Sequence, residues 1–568
     1  MNLRRHGPAL LALLGVVGLA FWPAPLLLLG GAAVIGHPVG DLADHYWGTW
    51  WFGHQLLQGA LPTATDLVQY PGPVRLWYVD PLGATLALLL RPFGAPAAYN
   101  GMVLLQATLA AGLAYLTGWK VSGSRSAGLI AGVYVGSHPY LLGLSWSGLT
   151  EYLGLAPAVA FIAALGLAMG QHPDGGPAPR RAPEVAGLLL ALCALQAFYY
   201  AAFGAVLVGC AVLGPGWRGR LITAARIGGV FAVAGAPLFL LAWSTLTHPD
   251  AAVTTANAPG WTYRELPATD LLAFIRPGDY YFPDTRTTNP GILHVNYLGW
   301  VGLALAAFAV HRERGPLRAL ALTTGLSAVL SLGPRLCVQG EMITWGSGSI
   351  PLPLAALYVP GSPFRFVHHP YRMVAFLVPL VALLAARGAR HLPRLARGGL
   401  AIAVVAEALW VSPAPWPNQT TDVEAPAIYA TLPEGAVLDW PPDATTWNRR
   451  YELWQVTHHR PIAYGVNTFL PERLREDPLV NRLLRGLNNL DLRARNRDVR
   501  ASGRLLPPMT QGETTLTEMG YRSIILHGEA LSEGERRQAI ATLTEIFGEP
   551  AQNQRSEIVW LLSSSSSP

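Results

Sequence analysis

Apolar runs of about 17 to 25 residues recur from Pro8 to Val411, each long enough to cross a hydrocarbon core of about 30 Å, and then they stop. Arg4 and Arg5 precede the first run, about 8–35. The positive-inside pattern therefore places the N-terminus in the cytoplasm and delivers the next stretch, GDLADHYWGTWWFGHQLLQG (Gly40 to Gly59), to the outer side. The length of this run and the lack of a small-residue cleavage site before Asp41 predict a retained span rather than a signal peptide.

The later runs alternate with basic loops. DPLGATLALLL, Asp80 to Leu90, is too short to cross and reads as re-entrant or lying on the outer face. Crossings follow over Ala97–Gly118, Ala127–Leu144 and Tyr152–Gly170. The stretch between Arg181 and Arg218 has positive charge at both ends, which predicts two short helices turning near Tyr199 and Tyr200. Leu221–Leu246, Leu298–Val310, Leu317–Leu332, Tyr371–Ala386 and about 399–413 complete roughly eleven crossings, leaving the C-terminal part outside.

After about Asn418 the period changes. AVLDW (436–440), YRSIILHG (521–528) and SEIVWLL (556–562) read as strands, and LSEGERRQAIATLTEIFG (531–548) as a helix. The arginine-rich stretch 471–500 reads as helical and solvated. The predicted fold is thus a mainly α polytopic membrane protein with a small C-terminal α/β extracytoplasmic domain. Its parts are a transmembrane domain over 1–415 with a first external loop at 36–96, the α/β domain over 416–562, and a disordered tail over 563–568.

Composition agrees with this division: of 568 residues only 13% are charged, against about 25% in soluble proteins. The net charge of +6 sits in short loops, not in one basic face, so no nucleic-acid partner is expected. Cys193, Cys210 and Cys337 offer neither a disulfide framework nor a zinc spacing.

The acids and imidazoles of the first external stretch are the candidate chemistry. At 100° per residue Asp41, Asp44, His45 and Gly48 share one helix face, and Trp47, Trp50, Trp51 and His54 the other. The indole face would anchor the helix at headgroup level and hold the acids over the membrane surface. A carboxylate there can act as general base toward an acceptor hydroxyl, with His45 orienting it or meeting a phosphate; equally, the acids can simply solvate a helix end. Two carboxylates could share a divalent cation, although they make a thin coordination shell.

The run D-L-x-D-H-x-W-x-x-W-W, followed by TDLVQYPGPVRL and DPLGATLALLLRPFGAPAAYN, resembles the first external loop and second span of bacterial polytopic glycosyltransferases of the GT-C superfamily. SWSGLTEYLGLAP (145–157), NYLGWVGLALA (296–306) and FRFVHHPYRMVAFLVPL (364–380) extend the resemblance over most of 1–415. It implies an inner-membrane enzyme that transfers a sugar from a polyprenyl-phosphate donor to a glycan, lipid or protein acceptor, amid membrane lipids. The superfamily's catalytic acid in the first external loop matches Asp41, with Asp44 as the other choice. The donor phosphate, as leaving group, calls for cations, and Arg365, His368, His369 and Arg372 supply them, unless they only snorkel to headgroups.

Other groups carry two readings. Glu151, at the start of a span, is either a site acid or a helix cap. Asp80, before Pro81, reads as a helix start, and His138, beside Pro139, as structural. Asp279 and Tyr280, with Tyr281, Asp284 and Arg286, suit sugar binding or turn formation alike. A transporter or flippase, which would concentrate polar groups near the midplane, and a non-catalytic envelope scaffold are the competing functions.

Overall fold

The computed structural model describes residues 5–170, 179–213, 216–251, 268–278, 281–282, 291–313, 317–346, 348–359, 362, 364, 367, 369–442, 447–465, 470–487, 515–554 and 556–562. They form two compact units: Met1–Leu42, Val79–Ala242 and Asn257–Thr421, and Ala43–Tyr78, Trp243–Ala256 and Asp422–Pro568. The second unit joins the segment after Leu42 to the chain beyond Thr421.

The first unit is helical. Its elements include α1 (Gly7–Ala20), α3 (Pro81–Leu90), α4 (Ala95–Ser122), α5 (Arg125–Gly136), α6 (Pro139–Ser147), α7 (Thr150–Leu153) and α8 (Ala156–Ala168). Then come α9 (Ala182–Gln196), α10 (Phe198–Val212), α11 (Trp217–Leu246), α12 (Trp300–Arg312), α13 (Arg318–Ser331), α14 (Val374–Ala389) and α15 (Arg394–Val411). Among the described residues, five helices are long and apolar enough to cross a membrane: Ala95–Ser122, Arg125–Ser147, Thr150–Ala168, Trp217–Leu246 and Pro370–Ala389. Six shorter apolar helices accompany them.

The first run is not one continuous span. Its helix stops at Ala20, Pro23 follows, Gly30 and Gly31 take φ near +130°, and Ala33–Ile35 is extended. The 10-residue α3 is as short as its sequence predicts, and Asp80 caps it by accepting from Gly83 N–H at 2.7 Å. The two short helices between arginines are α9 and α10. They part at Ala197, whose extended backbone (φ −159°, ψ 135°) turns the chain at the place the flanking charges predict. α14 is wrapped almost completely by its neighbours, so the core of this unit surrounds it.

The second unit contains α2, which begins at Leu42 and ends at Leu57, together with α16 (Trp447–His458), α17 (Pro478–Gly486) and α18 (Glu533–Phe547). Its sheet has strands β1 (Ala436–Trp440), β2 (Tyr521–His527), β3 (Gln552–Asn553) and β4 (Glu557–Leu561) in the order β1-β2-β4-β3. β1 and β2 are parallel, and the other pairings antiparallel. Ser532 and Glu535 form a reciprocal capping box that starts α18, as S-x-x-E predicts.

Two expectations need correction here. The indoles of α2 do not face a membrane surface: Trp47 and Trp51 are fully buried, their rings stacked at 5.5 Å, and Trp47 Nε1 donates to Gln455 Oε1 at 2.5 Å. That partner from α16 satisfies the indole N–H, so water or headgroups are not needed. The arginine-rich stretch is helical over Glu472–Glu476 and Pro478–Gly486, but Leu479, Val480, Leu483 and Leu484 are buried, so α17 is amphipathic and packed. The tail 563–568 lies outside the described residues.

Candidate functional site

Asp41 stands at the end of a turn, residues 38–41, laid against the C-terminus of α6 and closed by Gly40 N–H donating to His37 O at 3.0 Å. His37 N–H donates to Trp146 O at 2.8 Å, and Asp41 N–H to Ser147 O at 2.8 Å. Two glycines allow this approach. A Cβ on Gly40 would lie 2.6 Å from Ser147 O, and one on Gly148 only 2.4 Å from Leu42 Cα. Gly148 also closes α6 in the left-handed region, φ +75°, which only glycine adopts freely.

One residue triplet beyond that glycine comes Glu151. Its helix is capped by Leu149 without a side-chain bond, so Glu151 is not the N-cap. Its carboxylate faces Arg372, with Nη1 3.9 Å from Oε1, an ion pair but too long for a hydrogen bond. Both side chains are about nine-tenths buried. Asp41 stands close enough for its charge to bear on Glu151.

Arg372 enters from the short 3₁₀ turn Pro370–Met373 that leads into α14. Its guanidinium lies over the ring of Tyr152 at 4.0 Å, with Tyr199 and Tyr371 at 5.7 and 5.8 Å, and Nε donates to Tyr371 Oη at 3.3 Å. Aromatic faces hold a guanidinium by cation–π attraction and shield it from water. The Tyr371 ring also meets His369 at 5.9 Å and His294 at 5.2 Å. Behind these groups, Gln196 Nε2 donates to Asp80 Oδ1 at 2.9 Å and to Glu151 O at 3.2 Å, while Tyr200 Oη donates to Tyr152 O at 2.6 Å. The break at Ala197 thus delivers Gln196 and two tyrosines to one place.

The second unit holds a different carboxyl pair. Asp44 on α2 and Glu452 on α16 are both buried and hydrogen-bonded to each other. Burial, together with the Asp44 charge and hydrogen bond, pushes the Glu452 carboxyl well above the usual carboxylate range; Arg449 offsets this only in part. His45 is buried in the same unit, with its ring 6.1 Å from that of Tyr78. In the sheet, Oδ1 of the buried Asp439 accepts from Tyr429 Oη at 2.6 Å and meets His527 Nε2 at 3.0 Å.

No family model and no curated protein matches the chain. Solved structures do. ArnT from Cupriavidus metallidurans, solved bound to undecaprenyl phosphate, aligns over 98% of this chain and 98% of its own, with TM-score 0.52 and 12% identity. The mycobacterial arabinofuranosyltransferase AftD aligns over 99% of this chain and 42% of its own, with TM-score 0.51 and 14% identity. Both are GT-C glycosyltransferases. The chain has the GT-C fold.

Within that fold, Asp41, Glu151, His369 and Arg372 gather in the first compact unit. Asp44 and His45 belong to the second unit, where Asp44 is hydrogen-bonded to Glu452. Arg365, His368, Asp279 and Tyr280 lie outside the described residues. Among the described residues no group of three or more His, Cys, Asp or Glu side chains gathers to hold a metal ion.

Four ring-bearing residues around Arg372, Tyr152, Tyr199, Tyr371 and His294, carried no weight as site residues in the sequence. Tyr199 and Tyr371 had a usable signal: each stands beside a helix break, Ala197 or Pro370, where an aromatic can face inward from two elements.

Proposed function

We propose that the protein is a membrane glycosyltransferase that moves a sugar from a polyprenyl-phosphate donor to an acceptor hydroxyl on the extracytoplasmic side of a bacterial inner membrane. The observation that carries this reading is the buried Arg372, paired with Glu151 and roofed by tyrosines within reach of Asp41. A GT-C fold supports the reaction class, and the undecaprenyl phosphate held by ArnT supports the donor class.

In the proposed reaction the acceptor oxygen attacks the anomeric carbon while the bond from that carbon to the phosphate oxygen breaks. Asp41 takes the acceptor proton as general base. The electron pair of the broken bond stays with the polyprenyl phosphate, whose added charge Arg372 and His369 stabilise. Glu151 orients the guanidinium; Tyr152 and Tyr371 keep water from it. The acceptor is a hydroxyl of an envelope glycan, lipid or protein.

The test is sugar transfer in proteoliposomes from a panel of polyprenyl-phosphate sugars, comparing wild type with Asp41→Asn and Glu151→Gln. Asp41→Asn is expected to lower the rate by about 10²- to 10⁴-fold, the usual contribution of a general base. Equal rates would remove Asp41 from the mechanism. If wild type transfers from no donor in the panel, a transporter or scaffold role replaces this one.

A further inference from the structure

The far end of the helical unit carries a concave site. It is a groove of about 470 Å³ where the last turns of α4, α8 and α14 meet the first turns of α13. That volume is within the range of about 300–1,000 Å³ usual for small-ligand sites. Leu116, Ile162, Leu167 and Leu320 make its walls apolar, while Lys120 and Arg387 stand at one end. Tyr99, beside the Glu151 site, and Lys120 are both on α4. At 1.5 Å per residue they are about 32 Å apart, close to the thickness of a hydrocarbon core.

Charge at this end is unbalanced. Arg387 donates to Val121 O at 2.7 Å and pairs with Glu313, and the same carboxylate also meets Arg390 at 3.3 Å and His391 at 2.6 Å. A single acid thus serves several cationic partners. Lys120, the only lysine of the chain, is exposed, with Nζ 4.8 Å from the Trp119 ring, and has no ion pair among the described residues. Basic pockets between helix ends at the cytoplasmic face are suited to anionic lipid headgroups.

We propose that this groove binds an anionic phospholipid of the cytoplasmic leaflet, its phosphate on Lys120 and Arg387 and one acyl chain along the leucine wall. The site is independent of donor binding and lies at the opposite end of the helices that carry Glu151 and Arg372. Its occupant ties the ends of four helices together at a place where protein packing leaves a gap.

Native mass spectrometry of the full chain in detergent, titrated with phosphatidylglycerol or phosphatidylethanolamine, tests it. Wild type should retain phosphatidylglycerol in preference, and Lys120→Gln should weaken that retention about fivefold while leaving phosphatidylethanolamine unchanged. Lys120 is exposed, so this variant folds. Gly166→Leu, which fills the wall, should reduce retention of the acyl chain whatever the headgroup. Equal retention of the two lipids by wild type, or phosphatidylglycerol retention unchanged in Lys120→Gln, overturns the proposal. Displacement of the bound phospholipid by stoichiometric polyprenyl phosphate, with no change in Lys120→Gln, assigns the density of binding to the donor site instead and also overturns it.

Discussion

Replacing Gly148 by alanine tests whether the seam between residues 37–41 and α6 sets the chemistry. Two costs can be separated. The backbone at Gly148 has φ +75°, which costs a residue with a Cβ about 1–2 kcal/mol. The added Cβ would also lie 2.4 Å from Leu42 Cα, whereas carbon atoms rest at about 3.5 Å or more, so the Leu42 backbone must move by about 1 Å. Asp41 is the neighbouring residue and moves with it. A shift of that size at the proposed general base is expected to cost about 10²-fold in rate.

Gly123 supplies the control, because it has nearly the same φ, +71°, with nothing within 4 Å of an added Cβ. Gly123→Ala should therefore lower the thermal midpoint and leave transfer intact. Gly148→Ala should lower the midpoint at least as much and also lower kcat about 10²-fold. The donor KM should change little, because Arg372 is carried by another segment. Wild-type kcat in a folded Gly148→Ala protein would refute the idea that this seam positions Asp41.

Four further outcomes follow from individual contacts. Arg372→Ala leaves the Glu151 carboxylate buried without its cation, a loss of about 3–5 kcal/mol, seen as a lower thermal midpoint. Arg372→Lys keeps the charge but loses the planar stacking on Tyr152, and the donor KM should rise about tenfold or more. Asp80→Ala removes the cap of α3 and leaves the Gln196 amide with Glu151 O alone, about 2–3 kcal/mol in all, with a smaller effect on transfer than Asp41→Asn. Asp477, which caps α17 by accepting from Val480 N–H at 3.0 Å, is pushed by burial from 3.8 up to about 6. The folded state then keeps a proton that the unfolded chain releases first, so stability falls as pH rises from about 4 to about 6, by up to about 3 kcal/mol, and levels off above. Hydrogen exchange of 478–486, corrected for intrinsic rates, should show that slope in wild type and lose it in Asp477→Asn.

How far the sequence could be read depended on the distance over which each residue finds its partner. The helix break at Ala197 and the cap at Asp80 were legible because their causes are local: arginines at both ends of one apolar stretch, and a proline one residue after an acid. The Trp face of α2 was misread for the opposite reason. Periodicity correctly put the indoles together, but whether such a face meets lipid or protein was decided by Gln455, 408 residues away in sequence.

Asp41 and Asp44 show the same limit at its sharpest. Helical geometry puts them on one face, and nothing within twenty residues separates them. What distinguishes them is their partners: Ser147 accepts from the Asp41 backbone, whereas Glu452 is hydrogen-bonded to the side chain of Asp44. Glu151 inverts the lesson, since the local rule for an acid in a first helical turn favours a cap, yet Leu149 holds that position and Arg372 attracts the carboxylate. A buried acid whose local capping role is already filled needs a distant cation, and the tyrosines 152, 199 and 371 are assembled around the one that Glu151 found.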